Sequence, residues 1–169
     1  LKAIAEYPKD RMEIVLLKSP GQGPHAAIDV GIRMSTAPFV LTHMADDDYT
    51  SHHIDYMVKK SKEGFEIVTG SRFMKGGRAI GGPLHKQFLT WFVSFSLHHF
   101  AQFPVSDATH GVRIFSRRVV DQIKVESNIG FTYSLEMMVK VHRLGWPVHE
   151  YPVEWRERKK GASRFKLWK

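Results

Sequence analysis

The sequence predicts an α/β sandwich: a largely parallel sheet with helices on its faces. Short apolar runs alternate with longer stretches of helical character along the chain, the pattern of strands joined by helical crossovers. One of those runs, Phe39-Val40-Leu41, has the unbroken apolar composition of a buried strand. Two runs end close to charged chemistry, Asp46-Asp47-Asp48 after one and Ser71-Arg72 after the other. Open α/β sheets collect ligands beyond the carboxyl ends of their strands.

In chain order, Glu13–Leu17 is predicted as a short strand, followed by a loop with Gly21 and Gly23 and a helix over Pro24–Ser35. Pro38–His43 is a strand that leads to the three aspartates, His52–Glu63 a helix, and Phe65–Thr69 a strand. The two strands flank one helix, which predicts that they lie side by side through a right-handed parallel crossover. Gly76, Gly77, Gly81, Gly82 and Pro83 mark a mobile loop. A long helix is predicted over Leu84–Phe100, a strand over Gly111–Phe115, a helix over Tyr133–Leu144 closed by Gly145, and a final strand over Val148–Trp155.

The chain has 169 residues, 43% of them hydrophobic, enough for one domain with its own core. It opens on Leu1 and stops at Trp168-Lys169, so residues 1–169 are expected to be a single-domain fragment. The absence of cysteine excludes disulfides, thiolate metal sites and thiol nucleophiles. The longest apolar stretch, Phe88 to Phe103, is interrupted by Thr90, Ser94, Ser96, His98, His99 and Gln102, and falls short of the roughly 20 apolar residues that span a bilayer. A formal charge of +8 and a pI near 9.8 predict an anionic partner. The most basic stretch is Arg156–Lys169, where Arg156, Arg158, Lys159, Lys160, Arg164, Lys166 and Lys169 stand against Glu157 alone.

Three consecutive carboxylates at a strand end repel one another unless a cation or donors hold them. A hard cation, Mg²⁺ or Mn²⁺, suits that donor set; a solvated turn that caps the next helix would read the same way. In an extended backbone Asp46 and Asp48 point one way and Asp47 the other. Arg72, Lys75 and Arg78 surround the glycine loop, and guanidinium forks match phosphate oxygens. Lys86 and Thr90 are four residues apart and share a helix face. That helix also carries Phe88, Trp91, Phe92, Phe95 and Phe100, a composition that suits either a core helix or a bilayer interface. Adjacent histidines, His52-His53 and His98-His99, diverge by about 100° on a helix and do not chelate one ion together.

In this order the motifs resemble glycosyltransferase family 2, in its polyprenyl-phosphate branch of dolichol-phosphate mannose synthase-like enzymes. Met44-Ala45-Asp46-Asp47-Asp48 looks like the family's metal motif, with Met44 where Asp is frequent. Gly70-Ser71-Arg72-Phe73-Met74-Lys75-Gly76-Gly77 resembles its Gly-Ser-Arg-aromatic-x-Lys-Gly-Gly stretch. Asp107 through Arg113 is similar to its Asp-x-Thr-Ser-Gly-Phe-Arg turn, and Arg158 through Ser163 to its Arg-x-x-Gly-x-Ser loop. The resemblance implies a GT-A (Rossmann-like) fold, here the incomplete C-terminal two-thirds of a catalytic domain, inactive alone. It implies metal at Asp46 with help from Asp48, and catalytic roles for both together with Arg72 and Arg158. Arg72, Lys86, Thr90, Arg158 and Ser163 would bind the phosphates of acceptor and donor; Lys86 and Thr90 stand where Arg and Ser are usual.

The expected reaction is a metal-dependent inverting transfer of a sugar from a nucleotide-sugar donor to a membrane polyprenyl (dolichyl) phosphate. It would take place at the cytoplasmic face of a membrane, with the basic C-terminal stretch on anionic lipid. A phosphate acceptor is already ionised and needs no general base. A glycan hydroxyl, the alternative acceptor, would need one, with Glu136 or Asp107 as candidates. A catalytically inactive scaffold, suggested by Met44, is the other alternative. Nucleic acid is not an expected partner, because the aromatics cluster on one helix instead of alternating with cations on strands.

Overall fold

A computed structural model describes residues 13–19, 24–44, 50–128 and 132–157. The described elements are α1 (Pro24–Met34), β1 (Phe39–Thr42), a 3-10 turn (Ser51–His53) continuing into α2 (Ile54–Lys62), β2 (Ile67–Ser71), β3 (Arg78–Ile80), α3 (Leu84–Phe100), β4 (Arg113–Ser116), α4 (Arg117–Gln122), α5 (Thr132–Arg143), β5 (Val148–Pro152) and β6 (Glu154–Arg156). The main sheet has the order β1-β4-β2-β5. β1, β2 and β5 share one direction and β4 opposes them. The fold is thus the α/β class the sequence predicts, with three of the four strands of the main sheet running in one direction and helices flanking it.

The expected adjacency of β1 and β2 does not hold. They point the same way, but β4 lies between them and pairs antiparallel with both. The reason is the composition of β4. Ile114 packs with Met57, Val68 and Tyr151 on one face, while Phe115 packs with Ile67, Val105 and Met138 on the other. A strand that is apolar on both faces belongs in the middle of a sheet. α1, α4 and α5 cover the Phe115 face through Ile32, Val119, Tyr133, Met137 and Val141. α2 covers the Ile114 face through Met57. The buried residues Tyr133, Ser134, Met137, Met138 and Val141 recur at helical spacing and form one stripe of α5.

The four predicted helices stand within about two residues of their expected bounds, and Leu84–Phe100 is as predicted. Four other expectations are corrected. Residues 13–17 are irregular, with Val15 60% and Leu16 62% exposed; apolar, β-branched composition makes no strand without a neighbour for the backbone groups. β2 begins two residues later than expected and runs through Ser71, so Arg72 follows it directly. The glycine loop contains a short strand, β3, in parallel pairing with β6. The predicted final strand is divided at Val153: its N–H donates to Ser71 in the main sheet, at 3.0 Å, and its carbonyl accepts from Arg78 in the small one, at 2.9 Å. α4 went unpredicted; it is a short helix capped by Ser116 Oγ, which accepts the Val119 N–H at 3.2 Å.

α3 is not a core helix. Ser94 is its one fully buried residue, whereas Leu84 (81%), Phe88 (62%), Phe92 (52%) and Phe100 (82%) are exposed. Phe88 and Phe92 stack with ring centroids 6.0 Å apart, and Trp91 on Phe95 at 5.1 Å. Among the described residues no helix is long and apolar enough to cross a membrane.

Candidate active site at the sheet rim

β1 and β2 end at the same rim, where Thr42 and Thr69 both sit in register with Arg113, the first residue of the returning β4. The antiparallel β4 therefore begins where the other two strands finish, and the preceding loop, Asp107–Val112, lies at that rim. Arg72 meets it there. The Asp107 carboxylate accepts Arg72 Nε at 2.7 Å, Nη2 at 2.9 Å and the backbone N–H at 3.1 Å, a bidentate fork with a backbone anchor. Thr109 Oγ1 accepts from Arg72 Nη2 at 2.6 Å and donates to Asp107 Oδ1 at 3.0 Å. Asp107 is fully buried. Burial alone would push its carboxyl up, but the Arg72 hydrogen bonds and charge outweigh it and hold it at about 2.

Two further charged or titratable groups support the loop from inside. Arg113 is completely buried. Its guanidinium donates to Thr69 Oγ1 at 3.1 Å, to the Ser134 carbonyl at 2.9 Å and to the Ala108 carbonyl at 2.6 Å. It thus ties β2, α5 and the loop together. Burial lowers its pKa to about 10, so it stays charged at neutral pH. His110 is buried beside it, and burial lowers its pKa to about 4 against the upward pull of Asp107. The glycines of this region are set by close approach. A Cβ on Gly70 would lie 2.8 Å from Val153 Cγ1 and 3.0 Å from His110 Cε1. A Cβ on Gly77 would collide with the Ser71 carbonyl and lie 2.8 Å from the Arg72 carbonyl carbon, so a side chain at Gly77 would push Arg72 out of place.

Arg72, Lys86 and Thr90, three of the residues singled out from the sequence, line one cavity of about 260 Å³. Its apolar wall is made by Phe73, Ala79, Leu89 and Trp155. The Arg72 guanidinium sits 5.0 Å from the Phe73 ring and 5.7 Å from that of Trp155, within cation–π range. Thr90 Oγ1 donates to the Lys86 and Gln87 carbonyls at 2.9 and 3.0 Å, the usual habit of a helical threonine. It would have to release them to donate to a ligand. Gln87 Nε2 donates to the Gly81 carbonyl at 2.5 Å and shapes the mouth of the cavity.

Asp46, Asp48, Arg158 and Ser163 lie outside the described residues. Among the described residues no group of three or more His, Asp or Glu could hold a metal ion. Next to the aspartates, Met44 offers a soft thioether. His43 has both ring nitrogens engaged, Nδ1 with the Met44 carbonyl at 2.8 Å and Nε2 with Thr50 Oγ1 at 3.2 Å. Neither residue offers the free oxygen donors that a hard dication prefers. The rings of His52 and His53 lie close in the 3-10 turn, with centroids 3.9 Å apart, where divergence was expected. Glu136 is an anchor for its neighbouring loop. It accepts the Glu126 and Ser127 N–H groups at 2.8 and 2.7 Å and pairs with Lys140 at 2.7 Å. Partial burial raises its pKa, but these partners more than reverse that and bring it to about 2.

Sequence reasoning gave Arg113 and Trp155 no role at the site. An arginine opening a strand reads as exposed, and only the fold reveals that three segments converge on its side chain. Trp155 alternates as expected for a strand, but the turn at Val153 is what brings it to Arg72.

The chain is similar in sequence to several known proteins. A dolichyl-phosphate hexose transferase of Haloferax volcanii is 22% identical over 154 residues, 88% of this chain and 63% of the relative. An undecaprenyl-phosphate mannosyltransferase of Micrococcus luteus is 28% identical over 102 residues, 59% of this chain and 42% of the relative. A polyprenol monophosphomannose synthase of Mycolicibacterium smegmatis is 23% identical over 142 residues, 82% of this chain and 53% of the relative. The chain thus matches between 42% and 63% of the length of these relatives. The family described as "Glycosyl transferase family 2" matches residues 1–124, which include Asp46, Arg72, Lys86 and the Asp107–Arg113 turn, and the chain belongs to that family.

Proposed function

We propose that this chain is part of a glycosyltransferase catalytic domain that moves a sugar from a nucleotide-sugar donor onto the phosphate of a membrane polyprenyl lipid. One observation carries the reading: Arg72, Lys86 and Thr90 share a cavity walled largely by Phe73, Ala79, Leu89 and Trp155, with Gln87 and Glu157 as its other polar lining, and α3, one side of that cavity, turns its aromatics to solvent. A phosphate on an apolar tail fits such a cavity, with its tail leaving toward an interface where α3 and the basic stretch 156–169 rest on anionic lipid. The names of the relatives point to the same substrate class.

In the proposed reaction a lipid phosphate oxygen attacks the anomeric carbon. The bond to the nucleoside diphosphate breaks with inversion, and its electron pair leaves on the diphosphate. Arg72 commits Nε and Nη2 to Asp107 and Thr109, so it would meet the acceptor phosphate through Nη1. Lys86 adds a second cation, and Arg158 and Ser163 would close over the phosphates. Asp46, with Asp48, would hold Mg²⁺ or Mn²⁺, which when bound neutralises charge on the departing diphosphate. Asp107 and Glu136 are both held at about 2 and fully engaged. Both are poor general bases, which favours an acceptor that is already ionised over a glycan hydroxyl.

The test uses the full-length protein with nucleotide-sugars and either polyprenyl phosphate or a water-soluble glycan. Transfer to the lipid phosphate is expected, with Arg72→Ala losing about 100-fold or more in kcat/KM. Transfer to the glycan alone, or an unaffected Arg72→Ala variant, overturns the reading.

A further inference from the structure

Resting on that reading, we infer that Glu150 is a positioning residue for the acceptor phosphate, acting through Asp107 on Arg72. Glu150 stands in β5, in register with Thr69 of β2, away from the cavity residues. Its carboxylate reaches into the loop that precedes β4. Oε1 accepts the Ser106 N–H at 2.7 Å and the Asp107 N–H at 2.9 Å, and Oε2 accepts from Ser106 Oγ at 3.0 Å. The residue whose backbone is held this way is the one that grips Arg72 by Nε, Nη2 and N–H.

The loop is fixed from both sides by opposite charges. Glu150 takes its N–H groups, while buried Arg113 donates to its Ala108 carbonyl at 2.6 Å. Charge-assisted hydrogen bonds are roughly twice as strong as neutral ones. Three to Glu150 and one from Arg113, bracketing Ser106, Asp107 and Ala108, leave the Asp107 carboxylate little freedom. A fork that binds phosphate is only as well aimed as its support, and displacements of about 1 Å cost on the order of 100-fold in positioned chemistry. Asp107 alone does not supply that aim. Its carboxylate orients Arg72, but its own backbone is oriented by Glu150, 43 residues further along the chain.

The test uses the full-length protein with farnesyl phosphate in mixed micelles as acceptor. Glu150→Ala is expected to raise KM for farnesyl phosphate about tenfold, with KM for the nucleotide-sugar changed by less than about twofold. Glu150→Gln should regain most of the loss, since an amide oxygen still accepts both N–H groups. In an Arg72→Lys background, Glu150→Ala should add nothing, because the fork it supports is gone. An independent readout is the Arg72 Nε–H resonance, which should lose its exchange protection in Glu150→Ala and keep it in Glu150→Gln. The inference is overturned if Glu150→Ala binds farnesyl phosphate as the unaltered protein does, if both KM values rise together, or if the Arg72 resonance is unchanged. If the unaltered protein takes no phosphate ester at all, the proposed function fails, and the Arg72 resonance still decides the link to Glu150.

Discussion

At Asp107 and His110 one loop holds two titratable groups in opposite conditions. Asp107 keeps its charge because a guanidinium fork meets it. His110 gives up its charge because burial offers its ring only the Val112 backbone, 3.3 Å from its Nδ1. The pH dependence follows with a definite sign. Below about 6.5 an unfolded histidine binds a proton, while His110 in the fold does not until about 4. The unfolded state then holds more protons, so stability falls as pH drops through that window. The shift from 6.5 to about 4 corresponds to about 3 kcal/mol at 1.36 kcal/mol per unit. Asp107 acts lower, between its unfolded value of about 3.9 and its folded value of about 2. Urea denaturation at pH 7.0 and 4.5 checks the assignment. His110→Gln should lose less stability than the unaltered protein between those two values, and an equal loss in both would show that His110 does not titrate as described.

At the scale of elements, the exposed helix α3 and the small β3–β6 pair decide how the site is approached. β6 carries the chain toward Arg158, and the Glu157 N–H donates to the Ile80 carbonyl at 2.9 Å. The glycine loop and residues 154–157 are therefore one hydrogen-bonded unit. α3 has no acidic residue along Leu84–Phe100 and leaves its aromatic ladder in solvent, which is costly unless something apolar receives it. Seating in a bilayer interface would bury Phe88 and Phe92, each worth about 1.5–3 kcal/mol. Replacing both, Phe88→Glu with Phe92→Glu, is expected to cut partitioning onto vesicles of phosphatidylcholine and phosphatidylglycerol about 100-fold or more. Turnover of farnesyl phosphate in micelles should change far less. Unaltered sedimentation with vesicles would remove α3 from the docking surface.

For the whole molecule, the sheet topology brings the pieces to one rim: β1 delivers the chain toward the aspartates, β2 delivers Arg72, and β4 starts from the loop that grips it. The formal charge of +8 suits phosphate-bearing substrates and an anionic surface together. Chelation of divalent metal in the full-length protein is expected to abolish transfer, with recovery on adding Mn²⁺ or Mg²⁺. Asp46→Asn should lose about 100-fold or more, and activity that survives both treatments would remove the metal assignment from Asp46.

By itself the sequence determined the α/β class, the family and the bounds of four of the five described helices to within about two residues, and it singled out Arg72, Lys86 and Thr90, which the fold brings to one cavity. Those are local properties: period, turn residues and motif order are written in neighbouring positions. Tertiary structure decided what depends on residues far apart. It set β4 between β1 and β2, since only the assembled core shows that both faces of Ile114-Phe115 are covered. It turned α3 outward, where composition alone left core and interface open. It divided the last strand at Val153, which carried Trp155 to Arg72. It also made Asp107 a partner of Arg72, because a carboxylate's pKa is fixed by what the fold places around it, and Arg72 is not visible from the Asp107 stretch of sequence.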